Sequence, residues 1–296
     1  MNACIYHRVD YDGILSNEVV RHFLKDVKSF GWNNGEPVPE ADWASFKRVI
    51  MVDIAIEPLM TLPNLEWIDH HASNIAKYPT TIPGYRLDGV AACRLAWHYF
   101  RGPWPLPTSV EPYKNRSVIE PLLVTLIGEA DIGDRHDERA EYLNVGLRQL
   151  YPEEFEYLLQ VSFAQPGPTM LSQLYETAMI GRRSLVSAKA SSAALLKERA
   201  HDAVIEGLNF LVINAGPFGS QKFASGIQPH HDALMSWSYN GKTGRCIASM
   251  YTVPDKPINL LPYAEKLGGK DSGGHPNACG FTTTLDKMVA ILGGKQ

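Results

Sequence analysis

A chain of 296 residues with 45% hydrophobic and 20% charged residues has the composition of a folded protein of about two modest domains, which excludes intrinsic disorder. Its net charge of −4, from 28 basic against 32 acidic residues, disfavours tracking along long DNA or RNA, where affinity comes from cationic contacts to phosphates. Four cysteines without CxxC spacing exclude a disulfide scaffold, and apolar runs as short as Leu122 to Ile127 behind a start of MNACIYHRVDYDG predict a cytoplasmic chain with no membrane partner.

The first apolar run, Ala3 to Tyr6, leads into His7, Asp10 and Asp12 and predicts a buried strand ending at polar groups. From Ile14 to Phe30, apolar residues at 15, 19, 20, 23, 24 and 27 keep helical spacing and predict one helix. Gly13, before it, is expected to let the chain turn tightly from strand to helix. Val49 to Val52 leads into Asp53, and Leu65 to Ile68 into Asp69, His70 and His71, so two more strands end the same way. Strands alternating with helices predict an α/β fold with a parallel sheet, in which ligands collect beyond the carboxyl ends of the strands.

Further helices are predicted over residues 91–100, 117–130 and 138–150, with a loop over 101–112, where four prolines fall. His136 and Asp137 read as a solvated helix start. The proline-free stretch 169–203, rich in Ala, Ser, Leu, Lys and Arg, predicts one long connector helix, which Arg182, Arg183 and Lys197 solvate. Beyond it, residues 210–215, 233–239 and 245–251 predict strands, the last two joined as a hairpin by YNGKTG. His230 and His231, after Pro229, read as a surface turn without partner acids. The expected organisation is a parallel-sheet domain with flanking helices over 1–165, a helical connector over 166–203 and a smaller α/β domain over 204–296.

Imidazoles and carboxylates gathered at element ends suit divalent metals of the manganese, iron or zinc kind. With His7, Asp10, Asp12, Asp53, His70 and Asp131 as ligands, the four carboxylates would be neutralised by two divalent cations, and strict metal dependence follows. Taken singly, each acid has a plainer explanation, because acids ahead of helices are common as N-caps. The order of all four segments is what favours a metal centre.

That order resembles the DHH phosphoesterase superfamily, whose members include RecJ-like exonucleases, oligoribonucleases, nucleotide phosphatases and family II pyrophosphatases. HRVDYDG resembles its first motif, Asp53 its second, Asp69-His70-His71 its third and the segment around Asp131 its fourth. GGHPNACGF at 273–281 resembles the glycine-rich signature of the C-terminal DHH-associated domain. The resemblance implies two divalent ions, manganese foremost, one held by His7, Asp10 and Asp53, the other by Asp12, Asp53, His70 and Asp131. Ions about 3.5–4 Å apart generate hydroxide at neutral pH and clamp the attacking and leaving oxygens. Asp69 would orient a liganding imidazole. His71 would face the substrate, and Gly273, Gly274, His275 and Asn277 would contact its phosphate.

Two departures bear on substrate binding: Tyr251 stands where many relatives carry an arginine, and Ser272 interrupts the glycine run. The implied substrate is a phosphodiester of a short single-stranded oligonucleotide or dinucleotide. An adenosine bisphosphate-like nucleotide is the alternative for a phosphatase, pyrophosphate or polyphosphate ranks below both, and a non-catalytic scaffold is disfavoured by the complete ligand set. Members of the superfamily often form homodimers.

Overall fold

The computed structural model describes residues 1–102, 105–134, 136–163, 167–216 and 218–293. The expected domain boundary at 165/166, and Pro103 in the expected loop, lie outside these residues. The first strand, β1 (Asn2–His7), is followed by α1 (Tyr11–Phe23), β2 (Val27–Trp32), β3 (Val49–Val52), β4 (Leu65–Asp69), α2 (Ala72–Lys77) and β5 (Gly84–Arg86). Next come α3 (Ala92–Arg101), α4 (Glu111–Lys114), α5 (Leu122–Asp131), α6 (Glu138–Leu147), α7 (Pro152–Phe163) and the long α8 (Pro168–Arg199). The remaining elements are β6 (Ala200–Ile205), β7 (Leu208–Asn214), β8 (Ala233–Asn240), β9 (Arg245–Thr252), α9 (Leu261–Gly268), β10 (Ser272–His275), β11 (Ala278–Thr284) and α10 (Leu285–Leu292). The chain divides into two compact units, Met1–Leu185 and Val186–Gln296, a division that falls within α8.

The first unit is built on a five-stranded sheet in the order β2-β1-β3-β4-β5, parallel throughout. Strand alternation sends Cys4, Ile50, Val52 and Ile68 to a core shared with Leu15 and Val19 of α1, Leu95 of α3 and Leu123 and Leu126 of α5. Their neighbours Ala3, Ile5, Val49, Met51 and Trp67 face a second core with Trp32, Phe46, Ile54 and Ile56. A parallel sheet needs both faces covered, and irregular aromatic-rich segments cover the second. Trp67 is fully buried there, and its indole N–H donates to the Ile54 carbonyl at 3.0 Å, which ties β4 to the segment following β3.

The helix expected over 14–30 ends at Phe23, and Val27–Trp32 is instead a strand paired with β1. Asp26, at φ 54, breaks the helical path, so Val27 belongs to a sheet edge. The helix expected from 117 begins only at Leu122, after Pro121 in extended conformation. The connector helix stops at Arg199, where the alternating segment 200–205 pairs antiparallel with β7. Helices α2, α4 and α7 fall where none was expected.

The second unit holds a six-stranded mixed sheet, β10-β11-β9-β8-β7-β6, in which only β7 and β8 run parallel. The expected hairpin is present, with Asn240 opposite Arg245 and the Asn240 side chain accepting the Lys242 N–H at 3.0 Å. One face packs on Leu260, Ala264 and Met288 around α9 and α10; the other gathers Leu211, Ile213, Leu234, Phe218 and Phe223. Among the described residues no helix is long and apolar enough to cross a membrane.

Candidate metal centre

Because β1, β3 and β4 are adjacent and parallel, their carboxyl ends deliver His7, Asp53 and Asp69-His70 side by side. Asp10 and Asp12 open α1, and Asp131 closes α5. Nδ1 of His7 lies 2.6 Å from Asp10 Oδ2 and 3.6 Å from Asp53 Oδ2. Nε2 of His70 lies 3.2 Å from Asp53 Oδ1, 3.5 Å from Asp131 Oδ2 and 3.6 Å from Asp12 Oδ2. His7, Asp10 and Asp53 thus form one group, and Asp12, His70 and Asp131 another, each with its donor atoms within 4.8 Å of one another. All six residues expected as ligands are in these two groups.

The electrostatics are those of a site short of positive charge. Burial, then Asp53 and Asp131, holds the Asp12 carboxyl well above the usual carboxylate range. Burial also pushes Asp131 up to about 6; His70 pulls against this, while Asp53 and Asp10 add to it. His7 is pushed up to about 9, by its contact with Asp53 first and by Asp10, against the effect of burial. His70 also reaches about 9: burial lowers it, but Asp53, Asp12 and Asp131 outweigh burial. Burial raises Asp53, yet its contacts with His7 and His70 leave it below its ordinary value.

Several local features break the rules of ordinary structure in favour of this arrangement. Asp53 has φ 60, a left-handed conformation that side chains rarely adopt, and among the described residues its buried Oδ1 makes no well-aligned hydrogen bond, only the 3.2 Å contact with His70. Asp131 sits at a helix carboxyl end, where the helix dipole disfavours a negative charge. A buried carboxylate oxygen held only by the His70 imidazole at 3.2 Å, amid further carboxylates and imidazoles, belongs to a donor set that fits divalent cations.

Capping and ligation turn out to be compatible. Asp10 caps α1 by accepting the Gly13 N–H at 2.9 Å on Oδ1, leaving Oδ2 toward His7. Asp12 accepts the N–H groups of Ala92 and Cys93 at the start of α3, at 2.8 and 2.7 Å, and each oxygen keeps a second lone pair. Gly13 makes no strand-to-helix turn: it is helical, and a Cβ there would stand 2.0 Å from the His7 carbonyl oxygen. Close approach of α1 to β1 is the reason for glycine.

Asp69 is fully buried and orients His71 rather than the His70 ring. Its Oδ1 accepts the backbone N–H groups of His70 and His71 and lies 2.7 Å from His71 Nδ1. Its Oδ2 accepts from the Asn74 amide at 2.9 Å. The Asp69 contact raises the His71 pKa against burial, and with Nδ1 engaged the half-exposed ring has Nε2 free to meet a ligand. Asn33, 3.3 Å from His7 Nε2, and Asn74 are site residues the sequence did not announce, since an amide in a turn carries no periodic signal.

In the second unit, Gly273 and Gly274 lie on edge strand β10, paired with Gly280 and Cys279 of β11. Gly274, at φ 128, would carry a Cβ 2.6 Å from the Ala278 carbonyl oxygen, so glycine is required; Gly273 faces open space. His275 and Asn277 are exposed. Tyr251 pairs with Ala278 in register, and Ser272 Oγ donates to the Gly269 carbonyl at 2.5 Å.

The turn at His230-His231 does have an acid partner: both Nε2 atoms lie 2.9 Å from Asp202. The sequence could not show this, because Asp202 comes from distant β6. His231 is buried, and its Nδ1 accepts the Gln228 N–H, so Nε2 carries the hydrogen and donates to Asp202. That tautomer serves a structural bond and leaves no lone pair for a metal.

No protein-family model matches the sequence, and neither does any curated protein. The chain is similar to solved structures, and one of them matches it in fold. The pGpG-specific phosphodiesterase PggH from Vibrio cholerae shares 13% identity at a TM-score of 0.56, over 98% of this chain and 95% of that one. An exonuclease RecJ bound to manganese shares 14% identity at a TM-score of 0.49, over 98% and 88%.

Proposed function

From its fold, that of the DHH superfamily, we propose that this chain is a metal-dependent phosphoesterase hydrolysing phosphodiester bonds of short oligonucleotides or dinucleotides. One observation carries the reading: two groups of metal-type donors lie against each other, His7, Asp10 and Asp53 beside Asp12, His70 and Asp131, with Asp53 Oδ1 3.2 Å from His70 Nε2. His7, Asp10 and Asp53 would hold one divalent ion, and Asp12, Asp53, His70 and Asp131 the other, with manganese the first choice. Bound ions of this kind supply Lewis acidity and activate water at neutral pH.

The remaining roles belong to the chain's own groups. His71, held through Nδ1 by Asp69, presents Nε2 to a phosphoryl or leaving-group oxygen, and its raised pKa favours the donating form. Asn74 keeps Asp69 in place from its other oxygen. Gly273, Gly274, His275 and Asn277 are assigned to phosphate contacts of the second unit, where bare backbone at Gly273 allows close approach. PggH, described as pGpG-specific, illustrates that this fold can carry hydrolysis of such a substrate.

Purified protein with Mn²⁺, assayed against dinucleotides, short DNA and RNA, adenosine bisphosphate and pyrophosphate, tests the reading. Turnover of a dinucleotide or short oligonucleotide, abolished by Asp12→Ala, is the expected result. Preference for the bisphosphate would move the assignment to a nucleotide phosphatase, and no turnover with any divalent metal would overturn it.

A further inference from the structure

Beyond β2, a side chain outside every motif touches the site. Asn33 Oδ1 lies 3.3 Å from His7 Nε2, and the same oxygen accepts the backbone N–H of Asn34 at 2.8 Å. Only an oxygen accepts that N–H, so the amide orientation is settled and its oxygen faces the imidazole. An oxygen there can only accept, which places a hydrogen on His7 Nε2. Once the proton that Nδ1 shares with Asp10 at 2.6 Å is displaced by a cation, the ring's lone pair is on Nδ1, which also faces Asp53 at 3.6 Å.

Asn33 is itself held from several sides. Its backbone N–H donates to Glu36 Oε2 at 3.1 Å, and Arg8, the residue following His7, grips the same carboxylate. Trp32 donates its indole N–H to the Pro37 carbonyl at 3.0 Å, closing the turn. Gly31 leaves room for the arginine, since a Cβ there would stand 2.9 Å from Arg8 Cβ. The turn after β2 is thus fastened to the end of β1 at the point where His7 emerges.

We infer that Asn33 is a positioning residue of the metal centre: it holds His7 as an Nδ1 donor to a divalent cation, with the Arg8–Glu36 pair keeping Asn33 in place. This rests on the metal-dependent reading above. Partners of this kind on liganding histidines commonly account for roughly ten- to hundredfold in metal affinity.

The test is calorimetric titration of the full chain with Mn²⁺ in wild type, Asn33→Ala and Asn33→Asp, alongside ¹⁵N spectra of the histidine rings in Zn²⁺-loaded wild type. Asn33→Ala should weaken one binding event about tenfold with the metal-free melting temperature unchanged. Asn33→Asp, which still accepts from Nε2, should restore affinity. The spectrum should show His7 protonated at Nε2. Unchanged affinity in a folded Asn33→Ala protein, or a His7 ring protonated at Nδ1 in the loaded wild type, would overturn the inference while leaving the phosphoesterase reading intact. Wild type that binds neither ion would remove both. If Asn33→Ala does not fold, the ring spectrum decides.

Discussion

Asp69 and His71 form the tightest side-chain pair of the DHH tripeptide, with Oδ1 of the fully buried acid 2.7 Å from Nδ1 of the half-exposed imidazole. The same oxygen takes two backbone N–H groups, so it cannot rotate away without stranding three donors. His71→Ala should therefore cost turnover by roughly 10²–10⁴-fold, the range for a positioned proton donor, while Mn²⁺ content stays at the wild-type level. Metal analysis of the purified variant beside its rate checks this, and metal loss would make His71 a ligand.

Asn74 reaches the other oxygen of Asp69, from the first helical turn after the tripeptide. Removing it leaves a buried carboxylate with one satisfied oxygen, so Asn74→Ala should lower the turnover number with little change in the Michaelis constant. About tenfold is the expected scale, in keeping with outer partners of functional histidines. A change confined to the Michaelis constant would place Asn74 in substrate binding instead.

Much of this site is readable in one dimension because each parallel strand ends where its chemistry begins. The runs before His7, Asp53 and Asp69 are apolar, and the observed strands end at or just before these residues. What stayed hidden has identifiable physical causes. Val27–Trp32 is an edge strand with exposed Lys28 and Ser29, so it lacks the apolar signature, and Val27 happens to continue the helical spacing of α1. Asp202 meets His231 across about thirty residues through sheet pairing, which spacing cannot reveal. The strain at Asp53 is a backbone property, and an aspartate after four apolar residues gives no hint of positive φ.

Acidity should act on the metal-free chain and on the metal in opposite senses. His7 and His70, pushed up to about 9 from an ordinary 6.5, contribute stability that is complete below pH 6.5 and lost as pH rises through 9. Asp12, also raised, has the same sign, whereas Asp53, lowered, loses its contribution only in acid. The metal-free melting temperature should thus fall between pH 6.5 and 9.5. A divalent cation such as Mn²⁺, if held by both imidazoles as proposed, would have to displace their protons, so its affinity should rise over that interval. Thermal melts with and without Mn²⁺ should show a gap that widens with pH; a constant gap would contradict the protonation scheme.

The Arg94–Glu120 pair packs deep in the first unit, with the guanidinium Nη2 2.6 Å from Oε1 and both side chains almost fully buried. His98 and Thr125 satisfy the same carboxylate at 3.0 and 2.9 Å. Burial raises the Glu120 pKa, but His98 and Arg94 more than reverse this, so its stabilisation is present at neutral pH and lost as pH falls. Glu120→Gln leaves a buried cation unpaired and should destabilise by about 3–5 kcal/mol. Urea denaturation at pH 7 measures the loss, and a difference below about 1 kcal/mol, the level of an exposed pair, would show that the cluster is not dry.

Substitution at Asp53 separates backbone strain from ligation. At φ 60 the position suits glycine, asparagine or aspartate, whose short polar groups tolerate the left-handed region, while alanine bears a penalty of roughly 1–2 kcal/mol. Asp53→Asn and Asp53→Ala both remove the carboxylate that stands with His7 and Asp10 in one donor group and lies 3.2 Å from His70 of the other, so both should lose Mn²⁺ binding. They should differ in stability, with Ala melting below Asn by that strain. In either variant the His7 pKa should fall from about 9 toward 6.5, because Asp53 is the largest influence raising it. Histidine titration by NMR in the metal-free Asp53→Asn protein follows this directly. A His7 that still titrates near 9 would make Asp10, the nearer carboxylate at 2.6 Å, its controlling partner.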